Sequence, residues 1–126
     1  MKKNSLLPWL IAALVVFGAP MAYWAYYMST PGKYDAFATC IKDSGAKFYG
    51  TFWCPHCSAQ KAMFGKSKEL LPYIECSTPD RNGQLQVCKD AGITSYPTWE
   101  FADGARASGE QQLATLAEKT SCSLPE

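Results

Sequence analysis

The sequence predicts an α/β chain, a mixed sheet flanked by helices, preceded by one apolar amino-terminal helix. Three observations carry this reading. Short β-prone runs alternate with runs of helical periodicity from residue 34 onward and close on a hairpin signal. Residues 6–28 carry no charged side chain. The 126 residues suffice for one small domain plus an appendage.

The uncharged segment covers 23 positions. As a helix it spans roughly 34 Å, enough to cross a bilayer. Lys2 and Lys3 precede it, so the positive-inside rule places the amino terminus in the cytoplasm and the rest outside. Tyr23, Trp24, Tyr26 and Tyr27 gather at its far end, where amphipathic rings favour the membrane interface. A cleaved signal peptide is the competing reading. Cleavage after Ala19 would set Pro20 beside the scissile bond, and cleavage after Ala22 would put Pro20 where a small residue is wanted. The expected division is therefore an uncleaved anchor over residues 1–28, a linker over 29–33 and a folded domain over 34–126.

Pro31 suits a first helical turn, and Tyr34, Phe37, Ala38 and Ile41 recur at helical spacing before Gly45. Residues 46–52 read as a strand. A helix is expected from Pro55 to Leu70, with Met63, Phe64 and Leu71 inward and Pro72 as its stop. Residues 73–76 read as a short strand, 77–83 as a polar loop, and 84–91 as a short helix ending at Gly92. Residues 98–101 form a strand, Asp103-Gly104 a hairpin turn, and 105–107 the returning strand. Ser108 and Gln111 have capping-box spacing and are expected to open a last helix carrying Leu113, Leu116, Ala117 and Thr120.

Composition excludes some function classes. The chain has 12 basic and 11 acidic residues, and setting Lys2 and Lys3 aside leaves 10 against 11. That balance offers no electrostatic footprint for nucleic acid. All six cysteines lie after residue 39, and an even count in a small exported domain suggests disulfides.

The chemistry centres on Trp53-Cys54-Pro55-His56-Cys57. Disulfide exchange needs a thiolate that attacks and a second thiol near enough to release the mixed disulfide. Two intervening residues let both sulfurs meet within one helical turn. The helix amino terminus stabilises a thiolate at Cys54. Pro55 fits the first turn, and His56, the single histidine, adds a donor that tunes the couple toward a stronger oxidant. Cys57, further inside, is the expected resolving thiol. A structural Cys54–Cys57 bridge would need neither the histidine nor the helix start. Zinc held by Cys54, Cys57, Cys76 and Cys88 is disfavoured by the wide spacing of the second pair. Haem attachment would need His where Ser58 stands. No metal and no cofactor is therefore expected.

Phe52-Trp53-Cys54-Pro55-His56-Cys57, with Gly92-Ile93-Thr94-Ser95-Tyr96-Pro97-Thr98 downstream, resembles the thioredoxin family. The resemblance covers roughly residues 34–122 and implies a thioredoxin-like fold. It implies a cis proline at Pro97, which would expose the backbone of Tyr96 for pairing with a substrate peptide beside Cys54. Trp53 and Tyr96 would border the same groove, and Trp99 would sit in the core. Lys47-Phe48-Tyr49-Gly50, Pro72-Tyr73-Ile74-Glu75-Cys76-Ser77 and Tyr96-Pro97-Thr98-Trp99-Glu100-Phe101 look like a narrower group. These are the thioredoxin-like domains associated with bacterial vitamin K epoxide reductase-like membrane oxidases. That resemblance implies disulfide donation to exported or unfolded protein thiols, on the periplasmic or extracellular side of the cytoplasmic membrane. It also implies reoxidation by a separate quinone-linked partner. One departure bears on direction: where cytosolic thioredoxins carry a buried acid, this chain has Phe48. Its absence weakens a reductase reading.

Four cysteines remain. Cys76 follows a strand and Cys88 lies in the next helix, so a local bridge is expected. In the thioredoxin-like topology Cys40 and Cys122 both fall opposite the active site, which implies a second bridge. The alternative is that one pair relays electrons to Cys54 and Cys57. Lys61, Lys66 and Lys68 read as a solvated helix face. Rival functions are a thiol reductant or disulfide isomerase, for example in cytochrome maturation, and a membrane-tethered, non-catalytic peptide-binding module.

Overall fold

The computed structural model describes residues 6–126. They fall into two compact units, one reaching Pro31 and the other spanning Gly32–Glu126. The first unit holds helix α1, Leu7–Ser29, whose 23 residues include an 18-residue stretch of mean hydropathy 1.6 and are long and apolar enough to cross a membrane. A π-helical turn, Leu14–Gly18, interrupts it just before Pro20, whose ring nitrogen has no proton to give to the helical ladder. Large apolar side chains along α1, from Leu10 to Trp24, are exposed.

The second unit is the mixed α/β domain. Helix α2, Asp35–Asp43, buries Phe37, Ala38 and Ile41. The Asp35 carboxylate accepts the Gly32 N–H at 2.9 Å, an anion at the positive end of the helix. Gly45, at φ 85°, takes the left-handed conformation that ends it. Strand β1, Lys47–Gly50, is followed by helix α3, Pro55–Met63. Strand β2 is Tyr73–Glu75, helix α4 Gln86–Asp90, strands β3 and β4 Thr98–Glu100 and Arg106–Ser108, and helix α5 Leu113–Thr120. The sheet order is β2-β1-β3-β4. β1 runs parallel to β2 and antiparallel to β3, and β3 and β4 form the hairpin. This is the mixed sheet flanked by helices that the sequence predicts.

Register places Phe48 between Tyr73 and Trp99. Its ring stacks on Trp99 at 4.6 Å and meets Tyr73 edge-on at 5.3 Å. With Phe37, Ile41, Phe64 and Leu116 these rings form the main core. Tyr49, Cys76, Cys88 and Ile93 form a smaller one.

Two elements differ from expectation. The helix expected to reach Leu70 stops at Met63, because Gly65 adopts φ 55°, and a 3-10 turn, Gly65–Leu70, replaces its last part. The last helix opens at Leu113, not at Ser108. Ser108 is the last residue of β4, paired with Thr98, and the Gln111 N–H goes to the side chain of Gln60. Strand pairing and a buried acceptor outcompete the capping box.

Candidate active site

β1 delivers the chain to the amino terminus of α3, and the first turn of α3 holds both free thiols. Cys54 is the cap residue, in extended conformation at φ −78° and ψ 119°, and Pro55 follows it in the first turn. Pro55 has no N–H to leave unsatisfied there. The Cys57 N–H donates to the Cys54 sulfur at 3.4 Å. A helix-end donor thus points at Cys54 Sγ, a geometry that favours negative charge on it. Cys54 Sγ also lies 3.8 Å from the Tyr96 carbonyl oxygen.

Cys57 is 1% exposed and Cys54 6% exposed. Burial, followed by its hydrogen bond with Cys54, pushes the Cys57 thiol up to about 12. Cys57 is therefore protonated across the neutral range, and Cys54, though buried, is the more exposed of the two residues.

Tyr96 and Pro97 border the pair. The Tyr96–Pro97 peptide bond is cis, and Pro97 is buried. The Trp53 and Tyr96 rings meet edge-to-face at 6.4 Å. Trp53 Nε1 donates to Ser77 Oγ at 2.8 Å, and Gln84 Nε2 donates to the Tyr96 hydroxyl at 2.7 Å. These bonds hold two aromatic rings beside the thiols. Trp53 remains 45% exposed and Phe52 50% exposed, so the rim presents apolar surface.

His56 pairs with Glu110, Nδ1 to Oε1 2.7 Å, in an exposed contact. Glu110 was not singled out from sequence, since it lies 54 residues away and no periodicity marks it. Three more residues went unrecognised. Gln60, fully buried, accepts from the Gln111 N–H at 2.6 Å and from Trp99 Nε1 at 3.3 Å. Glu75 accepts from the backbone N–H groups of Cys76 and Ser77 and from the Tyr73 hydroxyl. Lys61, expected on a solvated face with Lys66 and Lys68, instead sets its Nζ 3.2 Å from the centre of the Tyr73 ring. The spacing of the lysines could not show this, because Tyr73 arrives from the neighbouring strand.

The other four cysteines are bonded in pairs away from Cys54 and Cys57. Cys40 of α2 joins Cys122, just after α5, and Cys76, just after β2, joins Cys88 of α4. With Cys76 and Cys88 bonded to each other, they are not available as thiolates to complete a zinc site with Cys54 and Cys57. Among the described residues no cluster of three His, Cys, Asp or Glu side chains is placed to hold a metal.

A thiol capping a helix end, a more deeply buried second thiol one turn on, and an adjacent backbone carbonyl form an arrangement suited to thiol–disulfide exchange. No protein-family profile matches the chain. A stretch of 95 residues is 48% identical to the thiol-disulfide oxidoreductase LTO1 of Arabidopsis thaliana. The match takes in 71% of this chain but 24% of the length of that relative, so the likeness is to one part of a longer protein.

Proposed function

We propose that the chain is a membrane-anchored thiol–disulfide oxidoreductase whose Cys54–Cys57 couple donates disulfides to exported protein thiols. The observation that carries this reading is the pair itself: Cys54 Sγ accepts the Cys57 N–H at the start of α3, beside the Tyr96 carbonyl. The similarity to a thiol-disulfide oxidoreductase supports the chemistry. In the donating direction a substrate thiolate attacks Cys54 of the oxidised pair, and Cys57 leaves as thiolate. The substrate's second thiolate then attacks its own sulfur in the mixed disulfide, and Cys54 leaves. The substrate gains a disulfide, and both cysteines end reduced.

Direction rests on two features. The helix-end donor at Cys54 stabilises the reduced form and so makes the disulfide more oxidising. Phe48, stacked on Trp99, occupies the place where a reductase of this kind carries its buried acid. The extracytoplasmic setting rests on α1, on Lys2 and Lys3 before it, and on the two further disulfides, which persist in oxidising compartments. A separate quinone-linked membrane enzyme of the vitamin K epoxide reductase type is the proposed source of oxidising equivalents. The Trp53–Tyr96–Pro97 rim is the proposed seat for the substrate peptide.

The test is the reduction potential of the couple in the full chain, equilibrated against glutathione. A potential of roughly −120 to −180 mV supports donation, while one near −270 mV assigns the chain to reduction. A Cys54→Ala variant that keeps the biological function would replace the enzymatic reading with that of a binding module.

A further inference from the structure

Cys57 shares its helix face with a cation. Lys61 stands four residues after Cys57 on α3, the spacing that puts two side chains on one helix face. Its Nζ lies 3.2 Å from the centre of the Tyr73 ring, a cation–π seat. Gly50 brings that ring and Cys57 together: a Cβ built on Gly50 would stand 2.9 Å from Cys57 Sγ and 2.9 Å from Tyr73 Cε2. The Tyr73 hydroxyl donates to Glu75 at 2.7 Å, which fixes the ring on which Lys61 rests. Lys61 and Tyr73 both line an open groove of about 490 Å³ with Ser58, Lys68 and Glu69, so water reaches the amine.

We propose that Lys61 is a positioning residue for disulfide exchange, its ammonium stabilising the thiolate form of Cys57. The inference rests on the assignment of Cys54 and Cys57 as an exchanging pair. The step it serves is the closure of the couple. Cys57 loses its proton to solvent and attacks Cys54 Sγ in a mixed disulfide. The Cys54–Cys57 bond forms, the bond to the bound thiol breaks, and that thiol leaves as thiolate with the electron pair. In reverse, Cys57 is the leaving group, and the same charge favours its departure.

The surroundings are consistent with this role. Cys57 is a thiol whose burial opposes ionisation; the backbone at Thr51 counters that effect first, and the Lys61 charge adds to the countering. Lys61 is itself pushed below the ordinary lysine range by burial, an effect Lys68 reinforces and Glu75, Cys57 and Glu69 oppose. Glu75 is the nearby carboxylate on β2, but its oxygens are taken by the backbone at Phe52, Cys76 and Ser77 and by the Tyr73 hydroxyl.

The test uses the full chain in detergent, with Cys54 and Cys57 reduced, mixed with excess 5,5′-dithiobis(2-nitrobenzoate). Attack by Cys54 releases one nitrothiobenzoate in a second-order phase. Attack by Cys57 then releases another in a first-order phase, so two electrons leave the protein and two aryl thiolates form. Lys61→Met should slow the first-order phase about threefold at neutral pH, the smaller thiolate fraction being partly offset by a stronger nucleophile, and leave the second-order phase unchanged. Lys61→Arg, which keeps the charge, should recover most of the rate. Equal first-order rates in wild type and Lys61→Met would overturn the proposal. So would equal slowing of both phases, or a failure of Lys61→Arg to recover a rate that Lys61→Met loses, since either marks a packing role. A wild type that shows no first-order phase would instead remove the exchanging pair itself.

Discussion

Gly50 and Cys57 share one space: a Cβ on the glycine would lie 2.9 Å from the cysteine sulfur and 3.4 Å from its Cβ. The end of β1 must therefore be bare for the first turn of α3 to seat the buried thiol against the sheet. Gly50→Ala forces either Cys57 or the Tyr73 ring to move, and neither is the free end of a flexible side chain. The expected cost is about 1–3 kcal/mol of stability, as for overpacking of a core. Exchange should suffer as well, because Cys57 loses its place one turn from Cys54. Urea unfolding and the rate of insulin reduction measure the two effects. An alanine variant with wild-type rate and stability would show that the site has slack this geometry denies it.

The bonded pairs act as staples in the proposed reading. Cys40–Cys122 closes a separation of 82 residues and Cys76–Cys88 one of 12. Chain entropy alone assigns them about 4.5 and about 3 kcal/mol. Cys40→Ala with Cys122→Ala should lower the melting temperature more than Cys76→Ala with Cys88→Ala, and both double variants should keep wild-type exchange at Cys54. Slower turnover at an unchanged melting temperature would make the affected pair an electron relay.

How much of this was legible from the residues alone depended on whether a feature was local. Pro55 after Cys54, with Cys57 one turn on, marks a helix start and a thiol pair without help from the rest of the chain. The helix periodicity of Phe37, Ala38 and Ile41 and the Asp103-Gly104 turn are equally local. What stayed hidden was set by strand pairing. The seat of Lys61 exists because Phe48 pairs with Tyr73, which puts that ring beside α3. Gly65 marks the stop after Met63, but Leu71 read as inward and Pro72 read as the stop argued for running on.

Gln60 is a second buried feature with no sequence signal, and it ties α3 to the segment before α5. Its Oε1 accepts from the Gln111 N–H and Trp99 Nε1, and its Nε2 donates to the Gln111 carbonyl at 3.0 Å. Gln60→Leu keeps the volume but leaves these donors and this acceptor without a partner. Each buried orphan costs about 1–3 kcal/mol, so the variant should lose roughly 3 kcal/mol or more in urea unfolding. Tryptophan fluorescence should also report the change at Trp99. A loss below about 1 kcal/mol would mean that water enters and replaces the amide.

The pH dependence of stability should show the charge ladder across the sheet. Lys47, Glu100 and Arg106 stand opposite one another on β1, β3 and β4. Lys47 Nζ lies 3.0 Å from Glu100 Oε1, and Arg106 Nε donates to Glu100 Oε2 at 2.8 Å. The hydrogen bonds from Lys47 and then Arg106 hold the Glu100 carboxyl below its ordinary value of 4.5. A carboxyl lowered on folding binds its proton more readily in the unfolded chain. Its contribution is therefore fully present above about pH 4.5 and is lost as pH falls through the lower folded value. Lys47, raised above 10.5 by the same bond, contributes below that pH and loses its share as pH rises through the folded value. Glu100→Gln should remove both dependences, so the difference in melting temperature between wild type and variant should be flat from pH 6 to 9 and shrink toward pH 3. A difference that stays constant down to pH 3 would show that the ladder holds no ionised carboxylate worth protecting.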